Sequence, residues 1–322
     1  MSTVIPRKAD SGKLPSYGTI FDRTRIVGYL TSPDDFDFVT EPPRDMKGGD
    51  IILHISCLVH SIAHIPYLAQ KIMEKMELDF TTLGGPENCC GSLHWHRGDE
   101  QFGLQTASIA LATFQRLKPV RVLSLCSDCD TSFARRKGRQ HTFEHLNISQ
   151  IFSENLDKMK TLMRHPVRRR VAIHQHQDND NRRRDADNIR RLMEAVPGLE
   201  IVDAPAASSD VRPCSLPMFP LSDSATREMF QEAKNLGVTD LVVPYHSCYR
   251  QHCKAQLEHG IEVQHYLSIV AESMGLPYAE PFKELRLLDD VDAAMSLLRP
   301  RILKLGYDEA MVRDYVEAAI YV

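Results

Sequence analysis

The sequence has few aromatic residues, no excess of charge of one sign and no long apolar run. Aromatic residues make up 7% of the 322 residues, and tryptophan occurs once, at Trp95. The net charge of −4 and the 43% hydrophobic content suit one large or two modest globular domains. Positions 1–16 contain Arg7, Lys8 and Lys13 but no apolar stretch typical of a secretion signal. A cytoplasmic protein without a membrane span is predicted.

The most basic segment, 164–191, does not indicate a nucleic-acid partner. Its two arginine triplets are interleaved with aspartates such as Asp178 and Asp185. Phosphate binding favours unopposed positive charge, and binding of single-stranded RNA favours aromatic residues between the charges. We therefore expect a solvated helix face or a docking surface here, and no nucleic acid.

Five of the eight cysteines form an ordered pattern: Cys57, Cys89, Cys90, Cys126 and Cys129. The gaps are 31 residues before the adjacent pair and 35 residues after it, and the last two cysteines form a C-x-x-C motif. Converging thiolates repel one another and need a soft, multivalent cation. Five exceed what one zinc ion accepts, and adjacent cysteines suit a tetrahedral ion poorly. The pattern favours an iron–sulfur cluster over zinc or inert buried thiols.

This pattern resembles the CCG domain of the family to which the B subunits of heterodisulfide reductases belong. The resemblance implies a noncubane [4Fe–4S] cluster, and it implies that all five cysteines are its ligands. It also implies that the chain is one component of a heterodisulfide-reductase-like complex, with ferredoxin-like iron–sulfur subunits and flavin subunits as partners.

A weak internal repeat appears when the chain is compared with itself at an offset of about 120 residues. The segment ending at Cys57 matches the segment ending at Gln177, and the C-x-x-C segment matches one ending at Cys248. The Cys89–Cys90 pair matches Pro213–Cys214, and Tyr245 replaces the first cysteine of the C-x-x-C motif. Since the related family commonly carries two CCG motifs, this chain resembles a duplicated pair with one altered copy. One noncubane cluster is expected.

The altered copy nevertheless contains many metal-binding side chains: His174, His176, Cys214, His246, Cys248, His252 and Cys253. Our candidate metal ligands are Cys214, His246, Cys248 and His174. Three interpretations stay open: a vestigial site with histidines in local hydrogen bonds, a site for zinc or for a second, altered iron–sulfur cluster, and a redox pair of Cys248 with Cys253.

The fold class predicted from periodicity is α/β. Short apolar runs at 50–56 and 120–125 read as buried parallel strands, and segments 66–76 and 106–117 have helical periodicity. The repeat then predicts two duplicated Rossmann-like CCG subdomains, at 49–165 and 166–280, with the cysteines at the carboxyl ends of strands. We expect an extended N-terminal arm over 1–48 and a C-terminal extension over 281–322 with two helices separated by Gly306. Both ends are candidates for partner docking.

The loop after the cysteine pair has its own expected features. Gly91 permits a turn and a close approach to a bulky cluster. His94 and His96 are candidate catalytic proton donors, because thiol chemistry near neutral pH needs a group that titrates there. Trp95 is expected to pack rather than to contact substrate.

The expected function is redox chemistry or electron transfer at thiol, disulfide or sulfane-sulfur groups. The resemblance, together with the single expected cluster, favours a divergent B-type subunit of a sulfur-oxidising complex, whose substrate would be carried on a lipoyl-bearing protein. The alternatives are a non-catalytic electron-transfer subunit and a zinc-stabilised scaffold.

Overall fold

The computed structural model describes residues 16–134, 141–209, 214, 223–276 and 278–321. The first half begins with a helix and continues as alternating strands and helices. These elements are α1 (Tyr17–Thr31), β1 (Ile51–Ile55), α2 (His64–Lys75), β2 (Phe80–Gly84), α3 (Ser92–His96), α4 (Glu100–Leu117), β3 (Arg121–Ser124), α5 (Ser127–Ala134), β4 (Glu144–Asn147), α6 (Ile148–Glu154) and α7 (Leu156–Leu162).

The second half repeats the alternation and ends in helices. Its elements are β5 (Arg170–Ile173), β6 (Gln175–His176), α8 (Asp180–Glu194), β7 (Glu200–Ile201), β8 (Ser208–Ser209), α9 (Asp223–Asn235), β9 (Asp240–Val243), α10 (His246–His252), α11 (Gln256–His259), β10 (Glu262–His265), α12 (Tyr266–Ser273), α13 (Pro281–Leu288), α14 (Val291–Leu305) and α15 (Glu309–Val316), followed by a π-helical turn at Glu317–Tyr321.

Two four-stranded parallel sheets have the same topology. The first has the order β2-β1-β3-β4 and the second β7-β5-β9-β10. The repeat therefore holds strand by strand, since β1, β2, β3 and β4 correspond to β5, β7, β9 and β10. The predicted α/β fold with duplicated Rossmann-like subdomains is confirmed. The added pair β6–β8 places His176 beside Ser209.

Burial explains why these short runs become strands. Every residue of β1 and of β9 is buried, as expected of strands covered by helices on both faces. One apolar cluster includes Leu53 of β1, Ile72 of α2, Val242 of β9 and Leu267 of α12. The two halves therefore share a core. The predicted boundary between positions 165 and 166 falls between α7 and β5.

The expectation of an extended N-terminal arm is wrong for residues 17–31, which form α1. Ser16 caps this helix by accepting a hydrogen bond from the Thr19 amide. Val27 lies in the same apolar cluster as Ile302 and Val312 of the C-terminal helices. The buried face of α1 includes Thr24, Gly28 and Thr31 beside its apolar residues, so it gives little apolar periodicity.

The C-terminal region contains the two expected helices, α14 and α15. Gly306 ends α14 with φ of 69°, a left-handed conformation that suits glycine. The Arg301 Nε donates to the Tyr29 carbonyl at 3.1 Å, so α14 is tied to α1. The terminal segments thus pack on each other. No helix within the described ranges has both the length and the hydropathy to cross a membrane.

Several histidines are buried as neutral rings, and His54 of β1 is the clearest case. Its Nε2 lies 2.8 Å from the Asn88 carbonyl oxygen, and its ring packs edge-on against Phe114 and Phe133. Burial lowers the pKa of His54 to about 4, and the hydrogen bond to Asn88 opposes this only in part. Burial also lowers the pKa of His60, and of His64, to about 4.

These histidines predict acid lability. In the unfolded chain His54 is protonated near pH 6.5, whereas in the folded chain it stays neutral down to about pH 4. The contribution of the neutral ring to stability is therefore fully present above about pH 6.5 and is lost as the pH falls from 6.5 to 4. His54 alone contributes about 2 kcal/mol of loss at about pH 5. In urea unfolding at about pH 7 and pH 5, His54→Gln should reduce the difference in unfolding free energy between the two pH values. An unchanged difference would contradict the assignment.

Because the terminal helices pack against each other, substitutions at neighbouring positions of α14 should lower the free energy of unfolding by different amounts. Ile302 is 1% exposed and Leu303 is 71% exposed on the same helix. Ile302→Ala should lower the free energy of unfolding by about 2–4 kcal/mol, because it leaves a cavity in the shared core. Leu303→Ala is the matched control and should cost less than about 0.5 kcal/mol. Similar values for the two variants in denaturant unfolding would show that the terminal helices lie outside the core.

Candidate cluster and metal centres

The five patterned cysteines come together at the carboxyl edge of the first sheet. Cys57 follows β1 by two residues and Cys126 follows β3 by two residues, while Cys129 lies in α5. The adjacent pair follows β2 through a short 3-10 turn at Pro86–Asn88. Parallel strands end at the same edge, so residues far apart in sequence converge.

The five sulfur atoms form a continuous chain of contacts. Cys57 Sγ lies 3.3 Å from Cys89 Sγ. Side-chain hydrogen bonds then join Cys89 to Cys90, Cys90 to Cys129, and Cys129 to Cys126. The Gly91 amide donates to Cys89 Sγ at 3.4 Å. This first centre, the five-cysteine centre, offers one more than the four soft thiolate ligands that an ordinary iron–sulfur cluster takes.

Electrostatics show why these sulfurs need a cation. The hydrogen bond to Cys57 and burial raise the pKa of Cys89 well above its ordinary value, although Cys90 and Gly91 oppose the shift. Contacts with Cys126 and Cys90, together with burial, raise the pKa of Cys129. Thiolates are therefore disfavoured without a compensating positive charge. The positive iron atoms of a bound cluster would supply that charge, and the donor set fits such a group.

Access to the five-cysteine centre is one-sided. Cys89, Cys90 and Cys129 are buried, whereas Cys57 and Cys126 are half-buried. The half-buried sulfurs follow the neighbouring strands β1 and β3. A sulfur compound approaching from solvent would meet this side first.

Close packing of α3 on α4 holds the cysteine-pair loop. Gly91 has φ of 76°, and a Cβ there would lie 2.8 Å from the Gly103 carbonyl carbon. A Cβ on Gly103 would lie 2.7 Å from the Trp95 Nε1. Trp95 therefore packs on α4, as expected. Gly91 allows two backbones to touch, a steric reason that sequence alone did not supply.

The two candidate proton donors occupy different surroundings. His96 Nε2 lies 3.6 Å from the Asp128 carboxylate, within the C-x-x-C segment. The His94 ring packs edge-on against Phe102 with centroids 4.6 Å apart, and burial lowers its pKa. His96 is thus next to the C-x-x-C motif, whereas the His94 ring packs against an aromatic side chain. Their catalytic role stays a prediction.

Arg182 of α8 is an exception within the basic segment, for which a solvated helix face or a docking surface was expected. It is 4% exposed and pairs with Asp128 at 3.1 Å and with Asp178, which precedes α8. Although burial raises the pKa of Asp128, His96 and Arg182 outweigh this and the net pKa is lowered. Arg182 therefore joins the second half to the five-cysteine centre. The sequence alone could not single out Arg182 as the buried residue, because the segment contains many other arginines.

A second group of donors gathers in the altered half: His174, His176, Cys214 and Cys248. The four ligand atoms lie within 4.8 Å of one another, and all four residues are buried. His174 Nε2 is 3.2 Å from Cys214 Sγ, and His176 Nε2 is 3.2 Å from Cys248 Sγ. We call this group the His2Cys2 centre.

The candidate ligands from the sequence are brought together only in part. His174, Cys214 and Cys248 belong to the His2Cys2 centre, but His176 takes the place we assigned to His246. His246 is buried outside this group of four donors, near Cys248 and also near Asp128 and the Leu125 backbone of the first half. The spacing of His176 from His174 could have identified it as a ligand, since residues two apart on an extended chain face the same side.

The other replaced positions have different partners. Tyr245 donates to Asp185 at 2.9 Å, so this tyrosine completes a buried hydrogen bond. Cys253 Sγ lies 4.0 Å from the Arg250 carbonyl oxygen, outside the His2Cys2 centre. Cys248 instead forms a side-chain hydrogen bond with Cys214. Pro213 lies outside the described residues.

The packing at Gly91 predicts a difference between two left-handed glycines. Gly98 has φ of 86° with no atom within 4 Å of an added Cβ. Gly98→Ala should therefore cost only the conformational penalty, about 1–2 kcal/mol. Gly91→Ala adds a backbone clash and should cost about 3 kcal/mol or more. Thermal or urea unfolding measures both, and equal losses would refute the close contact with Gly103.

Comparison with known proteins agrees with this geometry. The CCG cysteine-rich domain family matches residues 51–134, which include all five patterned cysteines. The chain is 20% identical over 289 residues to the D subunit of the dihydromethanophenazine:CoB–CoM heterodisulfide reductase of Methanosarcina barkeri, covering 81% of this chain and 69% of that protein. The corresponding protein of Methanosarcina acetivorans is 21% identical over 274 residues, covering 78% of this chain and 67% of its own length.

Among solved structures, an aspartate racemase of Picrophilus torridus is 10% identical with a TM-score of 0.29, covering 73% of this chain and 98% of that chain. A likeness of that size carries no argument about function. The family match instead coincides with the five-cysteine centre. Residues 51–134 match the CCG cysteine-rich domain family, and the chain as a whole is similar to the D subunits of heterodisulfide reductases.

Proposed function

We propose that this chain is the iron–sulfur subunit of a heterodisulfide-reductase-like complex, and that it holds one noncubane [4Fe–4S] cluster. The ligands would be Cys57, Cys89, Cys90, Cys126 and Cys129. The observation that carries the proposal is the continuous chain of contacts that joins the five sulfur atoms at the carboxyl edge of the first sheet.

The number of clusters follows from the altered half. There Gln177 stands at the position of Cys57, and Tyr245 stands at the position of Cys126 with its hydroxyl bound to Asp185. Neither side chain supplies the thiolate that an iron site needs. A single noncubane cluster is therefore part of the proposal.

The proposed reaction is redox chemistry at sulfur. Reduction of a disulfide takes two electrons and two protons and yields two thiols, and oxidation of thiols returns them. When bound, the cluster supplies the electron-transfer chemistry, while the protein holds and tunes it. Partner subunits with ferredoxin-like clusters or flavin would supply or accept the electrons. His96, whose Nε2 lies 3.6 Å from the Asp128 carboxylate of the C-x-x-C segment, is the candidate for moving a proton.

The substrate side is the half-buried edge formed by Cys57 and Cys126. A disulfide, a thiol or a sulfane sulfur can approach there. A sulfur group on a lipoyl arm suits such an edge, since a long, flexible carrier can present its terminal sulfur without burying the carrier protein. The resemblance to sulfur-oxidising complexes supports this substrate and a cytoplasmic location for the chain.

A non-catalytic electron-transfer subunit is the second candidate. The burial of Cys89, Cys90 and Cys129 favours it, because a cluster shielded on that side suits transfer between proteins. Electron paramagnetic resonance separates the two. Spectral changes on adding thiol or disulfide select the substrate-binding function, and an unchanged spectrum selects electron transfer alone.

The ligand assignment predicts selective loss of iron. Cys89→Ala and Cys126→Ala should each strip most iron, sulfide and visible absorption from anaerobically purified protein, because each removes a thiolate from the sulfur chain. Cys253→Ala is the matched control and should retain all three, since Cys253 lies outside both centres. Iron and sulfide quantification with circular dichroism measures cluster content and folding together. Full iron occupancy in folded Cys89→Ala and Cys126→Ala proteins would refute the assignment.

A further inference from the structure

We propose that the His2Cys2 centre binds one zinc ion through His174 Nε2, His176 Nε2, Cys214 Sγ and Cys248 Sγ. This site would be separate from the five-cysteine centre, and the proposal does not depend on the function proposed above.

Distances between donors support a single ion. Typical zinc–nitrogen and zinc–sulfur bonds at a tetrahedral angle place nitrogen and sulfur about 3.6 Å apart. The observed separations are 3.2 Å from His174 to Cys214, 3.2 Å from His176 to Cys248 and 3.7 Å from His176 to Cys214. These three separations are close to that value, and all four donor atoms lie within 4.8 Å of one another.

The donor types also favour zinc. Two imidazoles and two thiolates form a common structural zinc set, and four protein ligands leave no open position for substrate. Complete burial of all four residues suits a closed structural site. The chemistry thus differs from that of the five-cysteine centre, where sulfur alone is offered.

Surrounding hydrogen bonds orient the proposed ligands. His174 Nδ1 lies 2.8 Å from the Ala207 carbonyl oxygen. The carbonyl can only accept, so Nδ1 carries the proton and the Nε2 lone pair faces the thiols. His252 Nε2 lies 3.2 Å from Cys214 Sγ, where an N–H can donate to a metal-bound thiolate. Such outer partners are typical of metal sites.

The position of the site indicates a structural role. His174 and His176 lie at the end of the second sheet and in β6, while Cys248 lies in α10. Zinc would link these elements and Cys214 in place of the cluster ligands that the altered half lacks. It would stabilise the altered half without taking part in electron transfer.

Metal analysis of the full-length protein, purified anaerobically, tests the proposal. Wild type should contain about one zinc per chain beside its iron. Cys248→Ser and His176→Gln should lose most of the zinc and retain iron. Cys253→Ser and His246→Gln, matched controls outside the site, should retain zinc. Cys126→Ala should lose iron and keep zinc, so failure of the cluster assignment and failure of the zinc assignment give different patterns.

A second measurement covers variants that do not fold. Wild type produced with cobalt in place of zinc should show the intense visible bands of tetrahedral cobalt with thiolate charge transfer. The proposal is overturned by wild type that contains iron but no zinc, by an octahedral cobalt spectrum, by iron loss in folded Cys248→Ser, or by a Cys214–Cys248 disulfide found by mass spectrometry of the native protein.

Discussion

Parallel pairing of β1 with β3 determines where the cysteine side chains come together. Ile51 pairs with Arg121, so both strands run in the same direction and end at the same edge of the sheet. Cys57 and Cys126 leave this edge side by side, although they are far apart in sequence. The neighbouring strand β2 pairs with β1 on its other side and brings in the adjacent cysteines. Buried thiols at such a density cannot all ionise without a cation, so the sheet creates both the site and its demand for positive charge.

The same topology produces a different donor set in the second half. The strands β5 and β9 pair as β1 and β3 do, and again deliver ligands at their carboxyl edge. Two imidazoles now join the two remaining thiols, and the small β6–β8 pair positions one of these imidazoles. The two halves therefore share the sheet edge at which the donor side chains lie, but they differ in the number and softness of those donors. A five-sulfur centre and a mixed nitrogen–sulfur centre suit different metals for this reason.

Charged contacts connect the two halves beside these centres. Arg182 of α8 binds Asp128 in the C-x-x-C segment. On the helical side, Glu280 accepts from Tyr249 and Ser268 at 2.9 Å each and pairs with Lys283 at 2.8 Å. His64 of α2 lies 3.6 Å from the same carboxylate. Buried charges of this kind are satisfied only in one arrangement, so they favour a fixed relation between the halves.

Sequence alone determined the features that depend on spacing and periodicity. The five-cysteine pattern, the repeat and the alternation of strands with helices are all local or periodic signals, and the structure contains the predicted duplicated α/β fold. The sequence also showed that Gln177 and Tyr245 stand where the first half has cysteines, because the residue type at a matched repeat position can be identified without a structure.

Tertiary structure alone decided which residues meet. His176 rather than His246 joins the second centre because β6 directs it toward Cys248, while His246 is close to Asp128 of the first half. Arg182 is buried although its segment reads as solvated, and α1 is a helix packed on α14 although its segment reads as extended. These outcomes depend on contacts between distant segments, and pairing over long sequence separations leaves no periodic signal in the chain. Composition and spacing therefore determined the chemistry available to this protein, and packing decided its arrangement.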